Sequence, residues 1–531
     1  MTERFHRLVA IVRADFLIRL RRPSTVVVFL LLSAMPYLWI PDPSTGRALM
    51  QIGGQRALYN SAAIGMATAL LGTIFVGLAG FYVVSNALRR DVLSRCGYVI
   101  GSTTMRGSEY IAGKFAGNVV FLSVFMFGFM ATSMAMVLVR GEAPLEPFVF
   151  AKQYLLLVPP SIVFVSAAAL FFECTPLLRT KFGDVSYFFF WMMLMGSVVM
   201  LTENGIAGNW AAYFDVSGFG LVFVQMTTIF QTKHLSIGAS PFDPAKGIAV
   251  FRGLESSMQW LVPRIAAAIW PLGLLALARL FFHRFDPARV RAMPNEKARR
   301  SWIGRLNFMT KPLARLFVAA GNALLSSSSR ASLLRSAATD ALTTIAAFPL
   351  ASLAIIGFAI AALATDAKSL LTGVMPIAFA ACAIAIADVA SREKRAGSTS
   401  LVYAAPSLRA QFVAWKFASA LILTLAFLAV PLIRAIALHP ASALPLLIGV
   451  AFTCAAATTL GILSSNPKTF LVVFLMFWHI TTQDKGASPQ LDFAGWYGTA
   501  TPLVIASYAA MTLALLALAH AFHRSELRRR W

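Results

Sequence analysis

The residues best equipped for chemistry lie in two charged stretches set 302 residues apart. One holds Arg89, Arg90, Asp91, Arg95, Arg106 and Lys114; the other holds Arg392, Glu393, Lys394, Arg395, Arg409 and Lys416. At that offset Arg90 meets Arg392, Asp91 meets Glu393, Tyr110 meets Phe412, and Lys114-Phe115-Ala116 meets Lys416-Phe417-Ala418. Cations interleaved with a carboxylate suit charge recognition, which orients a docking partner more than it tightens binding. A loop that only fixes topology needs positive charge, not an acid retained behind an arginine. A solvated basic loop is the plainer alternative, and the residues alone leave both open.

Other chemistry is thin. His479, beside Trp478, and Arg434 are the clearest ionisable residues within apolar segments. A satisfied core histidine and a snorkelling arginine account for them. Asp388 and Glu173 fall at inner span ends and Asp366 and Asp484 fall outside, which weakens an ion-coupled carrier. No His-Glu-x-x-His, paired-carboxylate or Gly-x-Ser-x-Gly spacing occurs within a span. Gly107 to Lys114 imitates a phosphate loop, but five residues separate Gly107 from Gly113 where four are needed, and Phe115 follows Lys114 where Ser or Thr is needed. No catalytic residue, metal site or cofactor is therefore expected on this chain, and any ATP hydrolysis belongs to another polypeptide. Cys96, Cys174, Cys382 and Cys454 show neither metal-ligand spacing nor a disulfide framework.

The elements that position the two stretches follow from composition. The chain has 531 residues, 58% of them hydrophobic and only 13% charged. Apolar runs near the length that crosses a bilayer recur throughout, and helices satisfy their own backbone where water is absent. An all-α polytopic membrane protein is expected, with about twelve transmembrane helices in two pseudo-symmetric six-helix units. The first set reads 24–41, 60–87, 115–139, 154–174, 184–201 and 263–282; the second reads 343–364, 371–390, 413–437, 443–464, 469–483 and 500–522. The organisation predicted is a first unit over 1–282, a basic Ser-rich cytoplasmic linker over 283–342 and a second unit over 343–531.

With the N-terminus inside, the inner segments carry 35 of the 46 Lys and Arg residues and the outer segments 11. The positive-inside rule then places both termini in the cytoplasm, as in a bacterial-type inner membrane. The formal charge of +24 is spread over these loops and not gathered in one soluble domain with stacking aromatics, so nucleic acid is not an expected partner. No cleavable secretory signal is expected.

Residues 1–22 read as an amphipathic helix in the inner interface. Phe5, Leu8, Val9, Val12, Phe16 and Leu20 form its apolar stripe, Asp15 lies off it, and Arg19 intrudes and snorkels; an ordinary basic topology anchor is the alternative. The outer loop 202–262 is far longer than its counterpart 484–499, and its apolar segment within 218–232 reads either as a re-entrant hairpin or as a piece packed on the outer face.

The pattern resembles the permease of ABC-2-type exporters. Members carry an inner-interface helix before span one, a charged coupling loop between spans two and three, and an outer, often re-entrant segment between spans five and six. The second stretch matches best through Glu393, Gly397, Leu401-Val402, Pro406-Ser407 and Lys416; the first offers Asp91, Gly97, Val99-Ile100, Ser102-Thr103-Thr104 and Gly113-Lys114. The resemblance implies ATPase-coupling roles for the twelve charged residues named above. It also implies a separate ABC ATPase subunit in two copies, holding ATP and Mg, and an exported substrate that the sequence does not name. One departure stands out: two six-span units are fused in a single chain. A two-repeat ion-coupled carrier and a non-transporting assembly or immunity protein are the rival expectations.

Overall fold

A computed structural model describes residues 2–21, 23–176, 178–179, 181–202, 210–232, 234–283, 285, 319, 323, 333–347 and 350–530. The chain divides into two compact units, Met1–Arg291 and Ala292–Trp531. Most of the basic stretch 283–342 lies outside the described residues.

The first unit begins with α1 (Thr2–Leu20) and α2 (Pro23–Trp39), then two strands, β1 (Arg47–Ile52) and β2 (Gln55–Ala57). α3 (Ser61–Phe75) continues through a π turn at Val76–Gly80 and ends with Phe81–Val84. Two short helices, α4 (Ala87–Leu93) and α5 (Cys96–Ser102), build the first charged loop. Then come α6 (Gly107–Arg140), α7 (Pro147–Cys174), α8 (Lys181–Thr202) and α9 (Phe219–Phe230). After β3 (Leu235–Pro241) and β4 (Ile248–Ala249) the unit closes with α10 (Met258–Ile269) and α11 (Leu272–Phe281).

The second unit repeats the helical order. α12 (Leu333–Ala347) and α13 (Leu350–Ala364) are bent by 94° at the break between them. α14 (Met375–Ile386) follows a π turn at Leu370–Val374. The second charged loop holds α15 (Arg392–Ala396), α16 (Thr399–Ala404) and α17 (Pro406–Ala410). Long helices α18 (Phe412–Leu438), α19 (Ala443–Ser464), α20 (Pro467–Asp484) and α21 (Pro502–Arg530) complete it. Among the described elements from α1 in the first unit and from α12 in the second, a helix, two apolar helices, a loop of short helices and then longer helices follow in the same sequence.

Among the described residues, eight helices are long and apolar enough to cross a bilayer, and nine if the bent pair α12–α13 counts as one. Twelve were expected. The shortfall has a physical origin: α2 has 17 residues, about 25 Å of rise against a core of about 30 Å. α20 has 18 but carries Lys468, His479, Gln483 and Asp484, whereas α8, with 22 residues, is long and apolar enough in its sequence. α9, which the sequence left as re-entrant or packed, has 12 residues and cannot cross on its own.

The fold is mostly helical but not all-α. A four-stranded sheet of order β3-β1-β2-β4 joins the segment after α2 to the long loop after α9. β1 and β2 form an antiparallel hairpin through Gly53 and Gly54, whose φ values of 60° and 82° are those a tight primed turn requires. β3 is antiparallel to β1 with a bulge between Ala48 and Met50, and β4 is parallel to β2.

Both units close the end opposite the charged loop with an arginine. A helix leaves its last carbonyls unpaired. Arg140, at the end of α6, donates to the carbonyls of Tyr37 (2.9 Å) and Ile40 at the end of α2. Arg434 on α18 donates to the Ala362 carbonyl at the end of α13. Arg434 is thus a helix cap, not a snorkelling side chain. Within the first unit Arg264 is buried and donates to the carbonyls of Leu156 (2.9 Å), Leu157 (2.7 Å) and Asp215. Pro160 has no N–H for the Leu156 carbonyl, and the guanidinium fills that vacancy.

Candidate site: a duplicated ion cluster beneath each charged loop

In the first unit α1 lies on α6 where Gly113 and Gly117 leave room. A Cβ at Gly113 would sit 2.9 Å from Ile11, and one at Gly117 would sit 3.4 Å from Asp15. This close approach buries the Asp15 carboxylate to 1% exposure. Buried carboxylates persist only when paired, and three cations meet this one. Arg19 Nη2 lies 2.7 Å from Oδ2, Lys114 Nζ lies 3.0 Å from Oδ1, and Arg90 also pairs with Oδ1. Burial pushes the Asp15 carboxyl up, but Arg19, Lys114 and Arg90 outweigh it and hold the group below its ordinary value. Lys114 reaches on to Asp91 at 2.8 Å, and the Tyr110 hydroxyl donates to the same carboxylate at 2.6 Å. Arg19 also donates to Asn118 at 2.6 Å. It is buried, so the snorkelling expected of it is wrong: Asp15 and Asn118 hold it against α6.

The second unit rebuilds this arrangement on α12. Lys416, fully buried at the start of α18, lies 3.0 Å from Asp340 and pairs with Glu393. Arg392 lies 3.0 Å from Asp340 and 3.5 Å from Asp388, and donates to Thr344 at 2.9 Å. Beneath the Lys416 ammonium the Trp415 ring is 3.8 Å away, a cation–π contact. Asp340 therefore stands where Asp15 stands, Lys416 where Lys114 stands, Arg392 for Arg90 and Glu393 for Asp91. Thr344, four residues after Asp340, takes the place of Arg19, four residues after Asp15.

An aromatic cluster packs beside each ion cluster. Tyr110 stacks on Phe282 at 5.4 Å and meets Phe285 edge-on at 5.3 Å. Gly97 is needed there, because a Cβ would lie 2.6 Å from Phe285. In the second unit Phe412, the counterpart of Tyr110, stacks on His523 at 5.2 Å and meets Tyr403 edge-on at 5.7 Å.

Of the twelve charged residues taken from the sequence, the structure gathers Arg90, Asp91 and Lys114 in one cluster and Arg392, Glu393 and Lys416 in the other. Arg89, Arg95 and Arg106 stand exposed on the first loop. Lys394 and Arg395 are exposed on the second, with Lys394 held 2.8 Å from Glu526 of α21, and Arg409 is half-buried. Sequence reasoning missed the central acids. Asp15 was set off the apolar stripe and Asp340 was assigned to the linker. The small-residue spacing Gly113-x-x-x-Gly117 marked a close helix contact that would have led to Asp15.

Elsewhere the chemistry stays sparse. Glu173, at the end of α7, accepts from the backbone N–H of Ala87 (3.0 Å) and Leu88 (2.7 Å) and caps α4. Cys382 and Cys454 both contact Thr424 Oγ1 at 3.2 Å, and all four cysteines are free. Among the described residues no group of three or more His, Cys, Asp or Glu side chains is placed to hold a metal. Searches against family models, curated proteins and solved structures find no match to this chain. The apolar helices are those a multi-pass membrane protein requires.

Proposed function

We propose that the chain is the permease of an ABC-2-type exporter, supplying both membrane halves in one polypeptide. Its partner is a separate cytoplasmic ABC ATPase in two copies, one beneath each charged loop, with ATP and Mg held there. Both termini are cytoplasmic in this reading, and α2, α8 and α20 cross beside the nine long spans, with the bent pair α12–α13 counted as one, in an inner membrane of bacterial type. The observation that carries it is the duplicated ion cluster. In each unit an acid, buried at Asp15 and partly buried at Asp340, ties the charged loop to the helix that follows it, so a force on the loop passes to that helix. The exposed Arg89, Arg95 and Arg106 on one loop, and Lys394, Arg395 and Arg409 on the other, would meet an acidic groove on the motor.

The test is co-purification of an ATPase with the tagged chain and its stimulation by the complex. Replacing Arg89, Arg95 and Arg106 together by Glu should lower stimulation about tenfold, the scale of losing a few charge-assisted contacts, while leaving the unfolding temperature unchanged. A stimulated ATPase indifferent to this reversal and to the matching replacement of Lys394, Arg395 and Arg409 by Glu removes the coupling role. Transport that collapses with an ionophore and needs no ATPase would establish the ion-coupled carrier instead.

A further inference from the structure

The two units differ in the ring that the closing helix presents to the charged loop, and the difference is titratable. In the first unit the ring is Phe282, with Phe285 beside it. In the second it is His523, 2% exposed. His523 Nε2 lies 3.0 Å from the Arg409 carbonyl on α17, and Nδ1 lies 3.4 Å from the Tyr403 hydroxyl on α16. Only a neutral imidazole carrying its proton on Nε2 serves both contacts with Tyr403 donating. One turn on, Glu526 pairs with Lys394 of α15. The last turns of α21 thus strap all three short helices of the second loop.

We propose that His523 is a positioning residue of the second charged loop, and that protonating it loosens the strap. Consequences for coupling rest on the exporter reading; the loosening itself does not. Protonation places a hydrogen on Nδ1, so Tyr403 has to stop donating and turn its lone pairs to the ring. It also puts a cation into an apolar cluster of Ala337, Tyr403, Phe412, Val413 and Ile462. The charged groups on the surrounding elements give little relief. α17 brings the Arg409 guanidinium, α12 carries Arg335, and α18 carries Lys416 already paired with Asp340 and Glu393. On α21 itself lie His520, Arg524 and Glu526, whose carboxylate Lys394 occupies. Histidine changes charge between about pH 5 and 8, where Phe282 is inert.

The experiment is hydrogen exchange on the purified full chain in nanodiscs at about pH 8 and about pH 5.5, corrected for intrinsic rates. Protection over 399–416 should fall by about threefold or more on acidification, an opening of the loop alone, while 96–114 stays constant. His523→Phe should abolish the fall, and Phe282→His should install one in the first loop. His523→Gln, which keeps a donor and an acceptor without titrating, serves if the Phe variant does not fold. Unchanged protection in the wild type, or a fall that survives in both variants, overturns the proposal. With the ATPase bound, stimulation should drop over the same pH range in the wild type and not in His523→Phe. If no ATPase binds at any pH the exporter reading fails, and the exchange result still decides the role of His523.

Discussion

Around Asp15 three cations close on two carboxylates, Asp15 and Asp91; around Asp340, among the described residues, two cations face three, Asp340, Glu393 and Asp388. What both units keep is an acid on the first helix, an arginine and an acid in the loop, and a lysine opening the long helix. What they exchange is the surroundings: Arg19 for Thr344, Gly113 for Trp415, Phe282 for His523. The shared part joins three elements, and the exchanged part sets how firmly. Fusion in one chain leaves each unit free to change without its mirror changing.

The largest test of this contrast is neutralising the central acids one at a time. Asp15→Asn strands three cations over a single carboxylate, and breaking such a buried arrangement costs about 3–5 kcal/mol. Asp340→Asn leaves two cations with two carboxylates and should cost about half as much, by the same reckoning. Denaturation of the purified chain in mild detergent reads both, and an equal or larger loss at Asp340 would remove the distinction.

Exchanging the fourth-position residues sharpens it. Arg19→Thr should destabilise by about 2 kcal/mol and Thr344→Arg should stabilise by about 1 kcal/mol, since only the second cluster is short of positive charge. The first change has a pH signature as well. With its folded value held below the ordinary 3.8, Asp15 contributes stability that is present above 3.8 and lost as pH falls through the lower folded value. Removing Arg19, the strongest of the cations lowering it, should move the acid limb of unfolding upward. An acid limb that stays in place would detach Arg19 from the cluster.

The smallest effect belongs to the sheet, which the second unit lacks among its described residues. Arg56 holds Glu142 at 2.6 Å, and this hydrogen bond, against mild burial, keeps the Glu142 carboxyl below its ordinary value. Glu142→Gln should cost about 0.5–1 kcal/mol at this partly exposed pair. Hydrogen exchange should quicken over β1 and β2 and leave the ion clusters untouched; faster exchange at α1 would show that the two ends are not independent.

The repeat of helices was legible because hydropathy and the matched loops both survive in the residues themselves. The central acids were not, for a reason that can be named. Asp15 precedes its arginine by 75 residues and Asp340 precedes its own by 52. The excess of 23 coincides with the hairpin between α2 and α3, so a fixed offset that aligns the loops misaligns the first helices. The hairpin had its own signal, Gly53-Gly54 between short alternating runs, hidden under the membrane pattern. Reading the loop acids as docking groups was reasonable from charge alone. What periodicity could not reveal is that a lysine in the first two turns of the next helix faces inward and claims them.

The sheet also sets an order of events at the ribosome. β1 finds its long partner only in Leu235–Pro241, almost two hundred residues later, whereas everything that surrounds Asp15 has been synthesised once Asn118 emerges. Until β3 arrives, one edge of the Gly53-Gly54 hairpin waits unpaired and open to the wrong neighbour. A nascent chain stalled between these points would therefore hold a finished ion cluster around Asp15 and an unfinished cap.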